Sequence, residues 1–170
     1  MNTGQQLFSI GALLLLSLTV LRVNNSILLT DEVLYDSKFG IIANSIATSI
    51  IEKATTKFYD EKTATGPVEH LANLTVNLRA ESGETNPDNF NDFDDFNNYT
   101  DRDTFFTNLF FNYRCEVCYI DANDLDHSVI NPTWHKKLTV YVTWNQNGEN
   151  TGVVADTIKQ SVIYSYWYFR

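Results

Sequence analysis

Thr3-Gly-Gln-Gln-Leu-Phe-Ser-Ile-Gly-Ala-Leu-Leu-Leu-Leu-Ser-Leu-Thr-Val-Leu-Arg-Val-Asn-Asn25 decides how this chain is organised. From Leu7 to Leu21 it carries no charge and is rich in Leu. Fifteen such residues make roughly 22 Å of helix at 1.5 Å per residue, short of a hydrocarbon core about 30 Å thick. Continuing through Arg22 to Leu29 supplies the length, because Arg22 can snorkel and Ile27-Leu28-Leu29 is apolar again. A secretory signal needs a basic stretch ahead of the apolar run and a small-x-small cleavage site. Met1 to Gln6 has no basic side chain, and Ser17-Leu18-Thr19 is a poor site. The expectation is a retained N-terminal helix with a membrane segment over about residues 7–29.

The helical pattern continues past this segment. Phe39, Ile42, Ala43, Ile46, Ala47, Ile50, Ala54 and Phe58 recur at spacings of three and four, one face of an amphipathic helix. Asn24-Asn25-Ser26 and Thr30-Asp31-Glu32 are candidate places for a break, with Thr30 able to cap a new start at the second. Residues 5–59 thus read as one long helix or two nearly collinear ones, and Gly66-Pro67 marks the exit.

The period then changes to two. Alternation predicts strands over Leu74–Leu78, Tyr113–Tyr119 and Leu138–Trp144, the last being the clearest. Asn145–Asn150 reads as a hairpin turn, with Val153-Val154 and Ile158–Phe169 as the return. Glu81–Asp103 reads as an acidic connection and Asp121–Pro132 as a loop. The fold class expected is α+β: a long N-terminal helix, apolar in its first half and amphipathic in its second, packed on a C-terminal antiparallel sheet within residues 60–170.

The chain has 170 residues and a net charge of −9. That balance excludes a nucleic-acid binder, which needs cations to displace counterions from phosphates. There is no Ser-His-Asp order, Gly-rich phosphate loop or HExxH, so no enzyme activity and no cofactor are expected. Cys115-Glu-Val-Cys118 lies inside an expected strand, where residues three apart face opposite sides; a disulfide across a local bulge and two free thiols are both open readings. His70, His127 and His135 are read as surface or strand-edge residues, since their spacing to the cysteines fits no zinc finger. Asp88 to Asp103 holds six Asp against one Arg. Asp92, Asp94 and Asp95 are weak calcium candidates there, against a reading as a solvated loop pinned by Phe90, Phe93, Phe96 and Tyr99 through a short helical turn.

The layout resembles type IV pilins and pseudopilins. Ser45-Ile-Ala-Thr-Ser-Ile-Ile-Glu-Lys-Ala54 with Phe58-Tyr-Asp-Glu61 is similar to the "LAQ-x-LLEE…FDE" stretch of minor prepilins of the mannose-sensitive haemagglutinin pilus type. Phe93-Asp-Asp-Phe-Asn-Asn-Tyr99 resembles their "FDD-V-DDY" segment, and Lys137-Leu-Thr-Val-Tyr-Val-Thr-Trp144 their "K-x-I-T-V-x-V-x-W" strand. The resemblance runs in order from residue 4 to about 144. It implies a subunit held in the inner membrane, with an extracytoplasmic domain, and later carried in a cell-surface filament or secretion pseudopilus. It implies a leader of residues 1–4 cut by a prepilin peptidase between Gly4 and Gln5. It also implies that Leu7, Phe8, Ile10, Leu13, Leu14, Leu18 and Leu21 pass from membrane lipid into a bundle of sister pilin or pseudopilin subunits. The fifth mature position, usually Glu in that family, is Ser9 here, and Met1-Asn-Thr3 lacks the usual basic residue. An uncleaved anchor carrying an extracytoplasmic binding or sensor domain is the alternative.

Overall fold

The computed structural model describes residues 3–106, 109–146 and 157–167. Its first element is a single helix, α1, Thr3–Thr55. The chain divides into two compact units, Met1–Ile41 and Ile42–Arg170, so the boundary falls inside α1. Neither candidate break interrupts the helix, so of the two readings the single long helix holds. Thr30 does not cap a new start, because its Oγ1 donates to the Ser26 carbonyl one turn back, at 2.8 Å. Ser9, Thr19 and Ser37 turn their hydroxyls back onto Gln5, Leu15 and Val33 in the same way. This i−4 bonding satisfies a polar group without water or a partner chain.

The second unit is an α+β layer pair. Ala43, Ile46, Ala47, Ile50 and Ala54 of α1 are buried, and alanines at three of these positions let the helix approach the sheet closely. The sheet has strands β1 (Thr100–Phe106), β2 (Leu109–Asp121), β3 (Asp124–Val129), β4 (His135–Gln146) and β5 (Thr157–Ser165). All described pairings are antiparallel, in the order β1-β2-β4-β5, with β3 sharing the β1 edge of β2. Cys115 stands opposite Val140, Val117 opposite Leu138, and Leu138 opposite Val162. Phe111, Cys115, Val117 and Tyr119 of β2 and Leu138, Val140, Val142 and Trp144 of β4 form the buried inner face. Thr48 Oγ1 reaches Gln160 of β5 at 3.3 Å, tying helix to sheet.

Five expectations are corrected. The helix ends at Thr55 rather than 59. Phe58 leaves the stripe and is exposed, because its backbone pairs with the acidic segment: its N–H donates to the Asn91 carbonyl, and its carbonyl accepts from Phe93. Leu74–Leu78 is no strand. A 3-10 turn, Leu71–Asn73, precedes it, and the Thr75 N–H and carbonyl are taken by the Asp60 carboxylate and the Tyr119 hydroxyl instead of a ladder. The expected loop after Asp121 contains β3, whose exposed side chains give no alternating apolar signal. The end of the expected acidic connection is β1, a polar edge strand. The expected turn and Val153-Val154 fall largely outside the described residues.

Candidate functional site

Two regions stand apart from ordinary packing, one in each unit. In the first, no described side chain from Leu7 to Ile41 is buried. Leu7, Phe8, Ile10, Leu13, Leu14, Leu18 and Leu21 are all more than half exposed, and Ile27, Leu28, Leu29, Val33, Leu34 and Tyr35 continue the pattern. Burying each Leu, Ile or Phe is worth about 1.5–3 kcal/mol. A helix apolar all round suits surroundings of lipid or of other apolar helices. Its length and composition suit a membrane crossing. Gly4 and Gln5 lie in its first turns and are exposed.

The second region is a buried ionic cluster where the chain leaves α1. A short helix, α2 (Glu61–Thr65), is capped by Asp60, whose carboxylate accepts from the Lys62 N–H while Thr63 Oγ1 accepts from the Asp60 N–H. The Asp60 carboxylate also accepts from Thr75 N (3.1 Å) and Thr75 Oγ1 (3.0 Å). Lys136 sits on the inner face of β4, in phase with Leu138 and Val140, and is fully buried. Its ammonium donates to the Tyr59 carbonyl (2.8 Å), Asp60 Oδ2 (2.9 Å) and Asp94 Oδ1 (2.6 Å). All three N–H donors are thus used. The Tyr59 and Tyr119 rings lie 4.6 and 5.3 Å from the ammonium, which adds cation–π attraction. Burial pushes the Asp60 carboxyl up, but the Lys136 charge and the N–H donors outweigh it and hold it below its ordinary value. At Asp94 burial prevails over Lys136, and the Asp60 charge adds to it, so its carboxyl is raised.

Asp94–Phe96 is a 3-10 turn. Asp92 Oδ1 accepts from the N–H groups of Asp94 and Asp95, and Asp95 Oδ2 accepts from those of Asn91 and Asp92. Phe90, Phe93 and Phe96 anchor this segment in the core as expected, but the segment is not a solvated loop: Asp92, Asp94 and Asp95 are buried too. Burial and the charges of Asp94 and Asp95 push Asp92 up to about 9. Of the three calcium candidates, Asp94 is engaged by Lys136 and Asp92 closes the turn. Among the described residues, only Glu81, Glu84 and Asp95 bring three metal-ligating side chains together.

Cys115 and Cys118 are free thiols, Cys115 buried and Cys118 half-buried. The β2–β4 register is regular through both, without the bulge that a disulfide between them needs. Burial pushes Cys115 up to about 12, keeping it a thiol. His127 pairs with Asp124 at 2.9 Å on exposed β3, and His135 with Ser165 at 2.7 Å.

Sequence reasoning passed over Lys136 and Asp60. The parity of β4 could have found Lys136, which shares its face with Leu138, Val140 and Val142. Asp60-x-x-Thr63 was readable as a cap. Comparison with protein-family models, curated proteins and solved structures gave no match. The class defined is therefore structural: an α+β chain whose N-terminal helix is apolar and exposed in one unit and covers an antiparallel sheet in the next. It carries a candidate membrane span in that helix.

Proposed function

We propose that this chain is a structural, pilin-like subunit, held in a membrane by the first part of α1 and assembled through it into a filament or pseudopilus as a minor component. One observation carries the reading. A single uninterrupted helix is apolar and uncovered through Tyr35, then buried against a sheet from Ala43 to Ala54. Helix continuity suits transfer of the apolar part from lipid to a bundle of like helices while the folded domain stays intact. The segment order in the sequence supports the same reading.

The test is surface shearing of the native cells with the chain followed by immunoblot. The reading expects the chain in the sheared filament fraction, and expects Leu14→Asp to remove it from there. Recovery in the membrane alone, whatever filaments the cells shed, would overturn it. One observation favours the second reading, a permanently anchored binding or sensor domain. Ser9 stands where a carboxylate is usual, and its hydroxyl is already bonded to the Gln5 carbonyl of its own helix at 2.9 Å, so it offers a neighbouring subunit no charge.

A further inference from the structure

Gly83 lies at φ +106, a left-handed conformation that glycine adopts readily. It closes a turn in which the Glu84 N–H donates to the Glu81 carbonyl (3.2 Å) and the Glu81 N–H donates to Glu84 Oε2 (3.0 Å). This turn sets the Glu81 and Glu84 carboxylates beside Asp95. One carboxylate oxygen from each lies within 4.8 Å of those from the other two. Asp95 is 1% exposed. Its Oδ2 is satisfied by two N–H groups, but its Oδ1 has no donor, and its carboxyl meets that of Glu81.

A buried carboxylate oxygen without a donor is destabilising. The side chain that meets it is the Glu81 carboxyl, which donates only while it is protonated. Lys136 is the one buried cation among the described residues, and its three donors are spent on Tyr59, Asp60 and Asp94.

We propose that Glu81, Glu84 and Asp95 bind a calcium ion that ties the 81–84 turn to the buried 3-10 turn at Asp94–Phe96. Calcium–oxygen distances of 2.3–2.6 Å allow two ligands on one ion to stand up to about 5 Å apart, whereas magnesium at 2.0–2.1 Å allows only about 4.2 Å. Oxygens within 4.8 Å of one another fall inside the calcium limit, and magnesium's strict octahedron and reluctance to shed water make it the poorer match for three carboxylates. Three carboxylates fill part of the six to eight positions calcium takes, and water completes the shell on the exposed Glu81 side. Affinity belongs in the weak range of extracellular modules, about 10⁻⁴–10⁻³ M. The inference is independent of the pilin reading, since it concerns the folded domain alone.

The test uses the full chain in detergent micelles, stripped with EDTA and held above neutral pH. Calorimetric titration with calcium chloride is paired with thermal melts in calcium, in magnesium and in EDTA. Saturable calcium binding is expected, with a rise of several degrees in Tm and a smaller response to magnesium. Glu81→Gln and Glu84→Gln are each expected to weaken calcium binding tenfold or more. Absence of heat together with an unchanged Tm in calcium would overturn the proposal, leaving a proton shared between Glu81 and Asp95. Undiminished binding by the double Gln variant would overturn it equally.

Discussion

At the residue scale, Lys136 governs the folded domain. It joins the exit of α1 (Tyr59 and Asp60), the acidic turn (Asp94) and β4, three segments distant in sequence. Removing one partner of a buried pair leaves a charge without compensation, at about 3–5 kcal/mol. Lys136→Met is expected to lower stability by that amount, read from the urea midpoint. A change below about 1 kcal/mol would show the ammonium to be dispensable, since that is what an exposed ion pair contributes. Asp92 acts in the opposite sense. Its folded carboxyl is raised from the ordinary 3.8 to about 9, so between those values the folded chain holds a proton that the unfolded chain releases. The contribution of this group to stability therefore falls as pH rises through that window, by up to about 1.4 kcal/mol per pH unit. Asp92→Asn keeps the oxygen that accepts from Asp94 and Asp95 and removes the titration. Its stability advantage over the parent is expected to grow from pH 5 to pH 8, and parallel pH profiles would contradict this. Lys136 and Asp60 did not announce themselves, and Asp92 and Asp94 stood out only as calcium candidates. A run of Asp residues reads as solvated until the three Phe residues among them are seen to draw the whole turn inward.

At the scale of elements, α1 was the most legible. Its apolar run and the three-and-four spacing from Phe39 to Ala54 correspond to an exposed and a buried part of one helix. Its continuity was not legible, because Ser and Thr favour caps in water but bond back within the helix here. β2, β4 and β5 were visible in their alternation. β1 and β3 were not, since polar edge strands carry ladder hydrogen bonds without an apolar face. The 74–78 stretch alternates yet serves as a hydrogen-bonding partner for Asp60 and Tyr119. Leu14→Asp places a charge in the middle of the apolar run, at about 2.5–3.5 kcal/mol or more, and is expected to shift the chain from the membrane pellet to the soluble fraction. Unchanged sedimentation with membranes would argue against residues 7–29 as the anchor. Removing residues 1–37 takes away the exposed apolar positions through Tyr35 while sparing the buried stripe from Ala43. That variant is expected to stay monomeric in detergent-free gel filtration, and aggregation would mean that more of α1 belongs to the apolar segment.

At the scale of the whole molecule, an apolar helix leads into a domain stabilised by helix-on-sheet packing and a buried ionic cluster. No described side chain from Leu7 to Ile41 is buried, which is why we propose association with lipid and then with like helices as its role. Gly4-Gln5, just ahead of the apolar run, is where the pilin account and the permanent-anchor account part. The most direct measurement is the mass of the N-terminal peptide of the native protein, taken from membranes and from sheared filaments. The pilin account predicts a chain that begins at Gln5, with or without a methyl group on its amine. A chain that begins at Met1 in both fractions would contradict it.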